Sequence, residues 1–78
     1  METMMIQLKN IEMLQRFVED CNQVDAELEA VSGDFTANPK SLMGMMTLNL
    51  MYPLELRVVS SRVPCERLFR IFRYYAVV

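Results

Sequence analysis

Apolar and polar residues along this chain repeat at two different periods, and the switches between them divide it into seven elements. Over residues 2–8 the repeat is twofold. Met4, Ile6 and Leu8 fall on one side and Thr3, Met5 and Gln7 on the other, which predicts a strand. Lys9-Asn10 reads as a turn, and Asn10 suits a helix N-cap. From residue 11 to 21 the period is helical, with Ile11, Leu14, Phe17, Val18 and Cys21 in one stripe and Glu12, Gln15, Arg16 and Glu19 outside it. Strict alternation returns over residues 24–31: Val24, Ala26, Leu28 and Ala30 face a core, while Asp25, Glu27 and Glu29 make a row of carboxylates. Nothing converges on that row, so it reads as the solvated face of an antiparallel sheet. Ser32-Gly33 signals a hairpin turn into a short partner strand over 34–38, with Phe35 and Ala37 inward.

Asn38-Pro39-Lys40 breaks that strand, and a short helix starts at Ser41 and stops near Asn49. This helix carries more apolar surface than one side can bury. Ser41, Met45 and Leu48 cluster on one arc of the wheel and Leu42, Met43 and Met46 on another. Either the helix is buried nearly all round, or one arc faces a partner. Its place between two strands, beside two longer helices that supply most of the core, favours a half-exposed helix. Tyr52-Pro53 then leads into a strand over 54–60 with Leu54, Leu56 and Val58 inward. Pro64 fits the first position of a last helix. Cys65, Leu68, Phe69, Ile71, Phe72 and Tyr75 form its apolar side, and Arg67, Arg70 and Arg73 a basic ridge. The order is βαββαβα. It predicts an α+β open-faced β-sandwich in which helices cover one face of a four-stranded, mostly antiparallel sheet.

Composition narrows the chemistry. Seventy-eight residues make a single domain spanning 1–78, and an apolar content of 53% supports a core. The net charge of −2 gives no general pull toward nucleic acid or membrane. The charge is divided, with −6 over residues 1–34 and +4 over residues 35–78, a split that serves packing or solubility. Three arginines beside Tyr74 are a small footprint for phosphate binding, so the ridge reads as a solvated helix face and no nucleic-acid partner is expected. With no histidine and two distant cysteines, Cys21 and Cys65, no metal or cofactor is expected, and both thiols are read as reduced and buried. No apolar run reaches bilayer length, and neither a signal peptide nor a terminal tail is read, so a cytoplasmic protein is expected.

The segment Lys40-Ser41-Leu42-Met43-Gly44-Met45-Met46-Thr47-Leu48 resembles the regulatory-serine segment of HPr, the phosphocarrier family of the bacterial phosphotransferase system. That pattern is Lys-Ser, two apolar residues, Gly, then apolar-Met-Ser/Thr-Leu. Val24-Asp25-Ala26-Glu27-Leu28 resembles the family's second strand, and the element order extends the likeness over nearly the whole chain. The resemblance implies an HPr-like fold, a regulatory phosphorylation site at Ser41 and a partner-binding surface at Leu42, Met43 and Met46. Partners would be proteins of the phosphotransferase system or of catabolite regulation, met by a monomer or weak dimer.

The family's catalytic histidine and arginine are missing from this chain. Counted back from Ser41, Asn10 stands near the histidine position, Glu12 near the arginine and Met13 at the proline. An amide cannot become a phosphohistidine, and a carboxylate would repel the phosphoryl anion. The resemblance thus implies a non-catalytic relative. Two other readings stay open: a dimerisation domain that pairs through the same three residues, and residual phosphotransfer through Cys21, Cys65 or a carboxylate. As a helix N-cap, Ser41 is also worth about 1 kcal/mol without any phosphate.

Overall fold

The computed structural model describes residues 2–77. Met1 and Val78 lie outside the described residues, and with Val78 the expectation of a chain without a tail. The elements are β1 (Glu2–Ile6), α1 (Ile11–Asn22), β2 (Ala26–Ser32), β3 (Phe35–Ala37), α2 (Leu42–Met45), β4 (Leu54–Ser61) and α3 (Cys65–Phe72), closed by a 3-10 turn at Arg73–Tyr75. The strands form one antiparallel sheet in the order β1-β4-β2-β3. The protein is therefore α+β, with an open four-stranded sheet and three helices.

Sheet faces follow the alternation. Ile6, Leu28, Ala30, Leu54, Leu56 and Val58 are buried, while Thr3, Met5, Glu27, Glu29, Glu55 and Arg57 on the other face are exposed or half-exposed. On that open face Arg57 and Glu55 form an ion pair. Leu14, Phe17, Val18 and Cys21 of α1, and Leu68 and Phe72 of α3, close the core from the helical side. Phe17, Phe72 and Tyr75 meet there as an aromatic group with ring centroids 5.1–6.5 Å apart. The start of α1 and the turn between β2 and β3 are set locally. Asn10 is extended and its Oδ1 accepts the Met13 N–H at 2.7 Å, capping α1. Gly33, at φ +59°, supplies the left-handed residue of the two-residue turn between β2 and β3.

Several expectations are corrected in detail. β1 stops at Ile6, because Gln7 N–H turns to the Tyr75 carbonyl at 2.8 Å. β2 starts at Ala26 rather than Val24. Ile11 is 53% exposed: it opens the helix, where a side chain tilted toward the N-terminus overhangs the core. Phe35, expected inward, is 71% exposed on the short edge strand, where no helix lies over it. Pro64 occupies the N-cap position, one residue before the helix begins. Ile71 is exposed and Cys65 half-buried, since an eight-residue helix on one corner of the core buries a narrow stripe.

Candidate functional site

The approach to the serine segment is pinned from both sides. Asn38 Oδ1 accepts the Lys40 N–H at 2.9 Å and its carbonyl accepts the Ser41 N–H at 3.0 Å, turning the chain off the sheet. Pro39 is fully buried at that corner. Asn22, at the end of α1, donates from Nδ2 to the Lys40 carbonyl at 2.9 Å and to the Val18 carbonyl at 2.8 Å. Lys40 Nζ donates to the Val24 carbonyl at 3.2 Å. Ser41 thus enters α2 extended, at φ −112° and ψ 116°, and its Oγ accepts the Gly44 N–H at 3.1 Å.

Gly44 belongs to that cap. A Cβ added there would come within 3.3 Å of both Ser41 Cβ and Oγ, so the serine would have to give by a few tenths of an ångström. The α-helix then lasts four residues instead of running to Leu48. The Thr47 hydroxyl donates to the Gly44 carbonyl at 2.7 Å, and the Thr47 and Leu48 N–H groups donate to the Gly44 and Met45 carbonyls in tighter turns.

The turn is two-sided. Met45 is completely buried and Leu48 nearly so, while Met43 is 82% and Met46 57% exposed. Ser41 is half-buried beside them. Leu42 departs from the expected arc: it is half-buried and packs on the core, which leaves Met43 and Met46 as the free pair. Beyond α2 the exposed apolar surface continues at Met51, which the sequence reading passed over. Leu48 to Met51 and Gln7 to Ile11 line a shallow groove, spanned by a bond from Gln7 Nε2 to the Leu50 carbonyl at 3.3 Å. Ile11 and Met51 sit on its rim. Both were detectable as apolar residues in a first helical turn and in a loop, positions a core does not need.

Asn10 and Glu12 lie at the start of α1, in a small recess completed by Met13, Arg16 and Tyr74. The Asn10 amide oxygen is committed to the cap, and the Arg16 guanidinium stacks on the Tyr74 ring at 4.8 Å. The recess presents an amide, a carboxylate, a thioether, a guanidinium and a phenol, and no imidazole. Glu12 projects from the exposed first turn.

Of the thiols, Cys21 is fully buried and burial pushes it up to about 12, with Asp20 adding to the shift. Among the described residues, no group of three or more His, Cys, Asp or Glu side chains could hold a metal ion, and no helix is long and apolar enough to cross a membrane. Neither a protein-family model nor a curated protein sequence matches the chain.

Proposed function

We propose that this protein is a non-catalytic, HPr-like protein-binding module of the cytoplasm, related to the sugar phosphotransferase system but without histidine phosphocarrier activity. It docks a regulatory protein partner through Met43 and Met46, with Leu42 as the hinge of the patch between core and surface, and phosphate on Ser41 tunes that docking. Asn10 and Glu12, near the positions of the family's histidine and arginine, take no part in group transfer.

The observation that carries the reading is the sidedness of one short turn. Met45 and Leu48 anchor it in the core, and Met43 and Met46 stand free beside a serine. Methionines fixed in this way present a soft apolar surface that re-packs around different partners. Phosphate on Ser41 would add close to two negative charges at the edge of that surface. The buried Cys21, held protonated, speaks against phosphotransfer through that thiol, because the thiolate is the attacking species.

The test joins a modification assay with a binding assay. The protein is incubated with an HPr kinase and ATP beside an ordinary HPr, and the phosphate is mapped. Label on Ser41, absent from Ser41→Ala, is the expected result. No label on this chain while the ordinary HPr is modified would overturn the regulatory part. Capture of a phosphotransferase-system or catabolite-regulation protein by wild type, lost in Met46→Asp, supports the docking part. A dimer in sedimentation that Met46→Asp dissociates would instead assign the patch to self-association.

A further inference from the structure

β2 is longer than the strand that flanks it. It pairs with β4 from Ala26 to Val31, with one register shift between Glu27 and Leu28 where β4 carries the extra residue Val59, but with β3 only at Ala30, Val31 and Ser32. The chain leaves the sheet after Ala37, because Pro39 has no N–H to donate and is drawn into the core.

Alternation along the strand tells which main-chain groups are left over. The two-residue turn makes Ser32 and Phe35 a bonded pair, then Ala30 and Ala37, so Ala26 and Leu28 point their N–H and C=O groups the same way. The opposite side agrees: the Arg62 N–H donates to the Asp25 carbonyl at 3.1 Å, so the odd-numbered residues face β4. Among the described residues, Ala26 and Leu28 have no main-chain partner on the β3 side. They border a groove of about 680 Å³ that runs from Val59 of β4 across Ala26–Glu29 to the segment carrying Thr36, Ala37, Asn38 and Lys40.

We propose that this free edge of β2 binds an extended segment of a basic partner protein by strand addition. A single strand laid opposite Ala26–Glu29 would supply the missing bonds at Ala26 and Leu28. Charge selects its side chains. Glu27 and Glu29 alternate onto the open face, with the exposed Asp25 just beyond. Residues directly opposite them on an added strand would have Cβ atoms roughly 4.5–5.5 Å away. Arg57 stands opposite Glu29 but its ion pair is with Glu55, and Arg62 reaches Asp25 only at 4.0 Å. Lys40, on the groove wall, turns its Nζ to the Val24 carbonyl, so among the described residues Glu27 has no cation paired with it. The fitting segment therefore has Lys or Arg at two positions separated by one small residue, which sits opposite Leu28.

A second copy of this chain does not meet the requirement. Its own β2 edge would set Glu27 and Glu29 against themselves, and its β1 edge would bring Glu2. The edge shares no residue with the Met43/Met46 surface, so the two proposals stand or fall separately.

The test uses an acetylated and amidated Thr-Lys-Ala-Lys-Thr peptide titrated into isotope-labelled protein. Expected are shifted resonances and slowed exchange of the Ala26 and Leu28 amides. Binding should be lost when the peptide's alanine is N-methylated or its lysines are replaced by glutamate. It should weaken by at least about tenfold in a natively folded Glu27→Lys/Glu29→Lys variant. The proposal is overturned by no protection at millimolar peptide, by protection centred elsewhere, or by equal binding to the charge-reversed variant.

Discussion

Cys21 and Tyr75 are joined through Asp20. Tyr75, almost wholly buried, donates its hydroxyl to Asp20 Oδ2 at 2.6 Å, and Asp20 also raises the neighbouring Cys21 thiol. Burial first, and then the bond to Asp20, holds the tyrosine hydroxyl well above its ordinary 10.0. Burial holds the thiol at about 12 against its ordinary 9.0. The unfolded chain therefore releases the thiol proton from about pH 9 upward while the native state keeps it. Stability contributed by this group is complete below pH 9 and falls as pH rises toward 12. The urea midpoint should decline above pH 9, and Cys21→Ala should flatten that decline even though it lowers the midpoint at neutral pH. Tyr75→Phe removes a bond to a charged acceptor and should cost about 1.5–3 kcal/mol by urea unfolding at pH 7. A loss near zero would show that the hydroxyl prefers water to Asp20.

At the scale of the element, α2 invites a direct comparison of adjacent methionines. Met45→Ala empties a buried site and should cost about 2–5 kcal/mol. Met46→Ala on the exposed side should stay within about 0.5 kcal/mol. Thermal unfolding of the two variants checks this, and similar losses for both would mean that the turn is buried all round. Ser41→Ala should cost about 1 kcal/mol through the lost cap. The sidedness of this turn was legible from the sequence because Met43, Met45, Met46 and Leu48 obey the helical period.

The length of α2 was less legible. Whether Thr47 continues a helix or returns its hydroxyl to Gly44 depends on the chain beyond it, and period alone cannot decide. Leu42 misled because the wheel assumes a straight helix, while one turn entering from a pinned corner brings its first residue back onto the core. Phe35 and Ile11 misled for a related reason. Alternation assigns a face, but burial also needs something packed over it, and both residues lie where the covering layer ends. The groove beside Ala26 and Leu28 was half legible: the short partner strand and its break at Pro39 stand in the sequence, but the edge they leave open depends on β3 ending the sheet beside β2.

For the whole molecule, the antiparallel sheet and its helical cover followed from the pattern of seven elements, but the strand order did not. Nothing local marks β4 as the strand that lies between β1 and β2. Nor does the pattern show that the segment after α3 returns to β1, where Val77 N–H donates to the Met5 carbonyl at 3.1 Å and Ala76 bridges Ile6. That return, with the Tyr75 ring beneath it, ties the last described residues to the first strand. Ending the chain at Tyr74 removes the ring and both main-chain bonds to β1. It should cost about 3–5 kcal/mol for the aromatic alone, a large share of the 5–15 kcal/mol typical of a whole domain. A strongly lowered melting temperature by circular dichroism is the expected result, and an unchanged one would show that the sheet does not depend on the clamp.

β4 also fixes the order in which the molecule can assemble. It is the last of the four strands to leave the ribosome, yet both β1 and the β2–β3 hairpin must dock against it. Until it arrives, β1 has no neighbour and the hairpin has three paired residues. The helices of the first half then have no completed sheet to cover. β4 must therefore be inserted between two segments distant from it in sequence, the kind of non-local pairing that forms more slowly than local contacts. Before that step the edges of β1 and β2 that β4 will cover stand open, and the like charges of Asp25, Glu27 and Glu29 disfavour pairing of β2 with a second copy of itself.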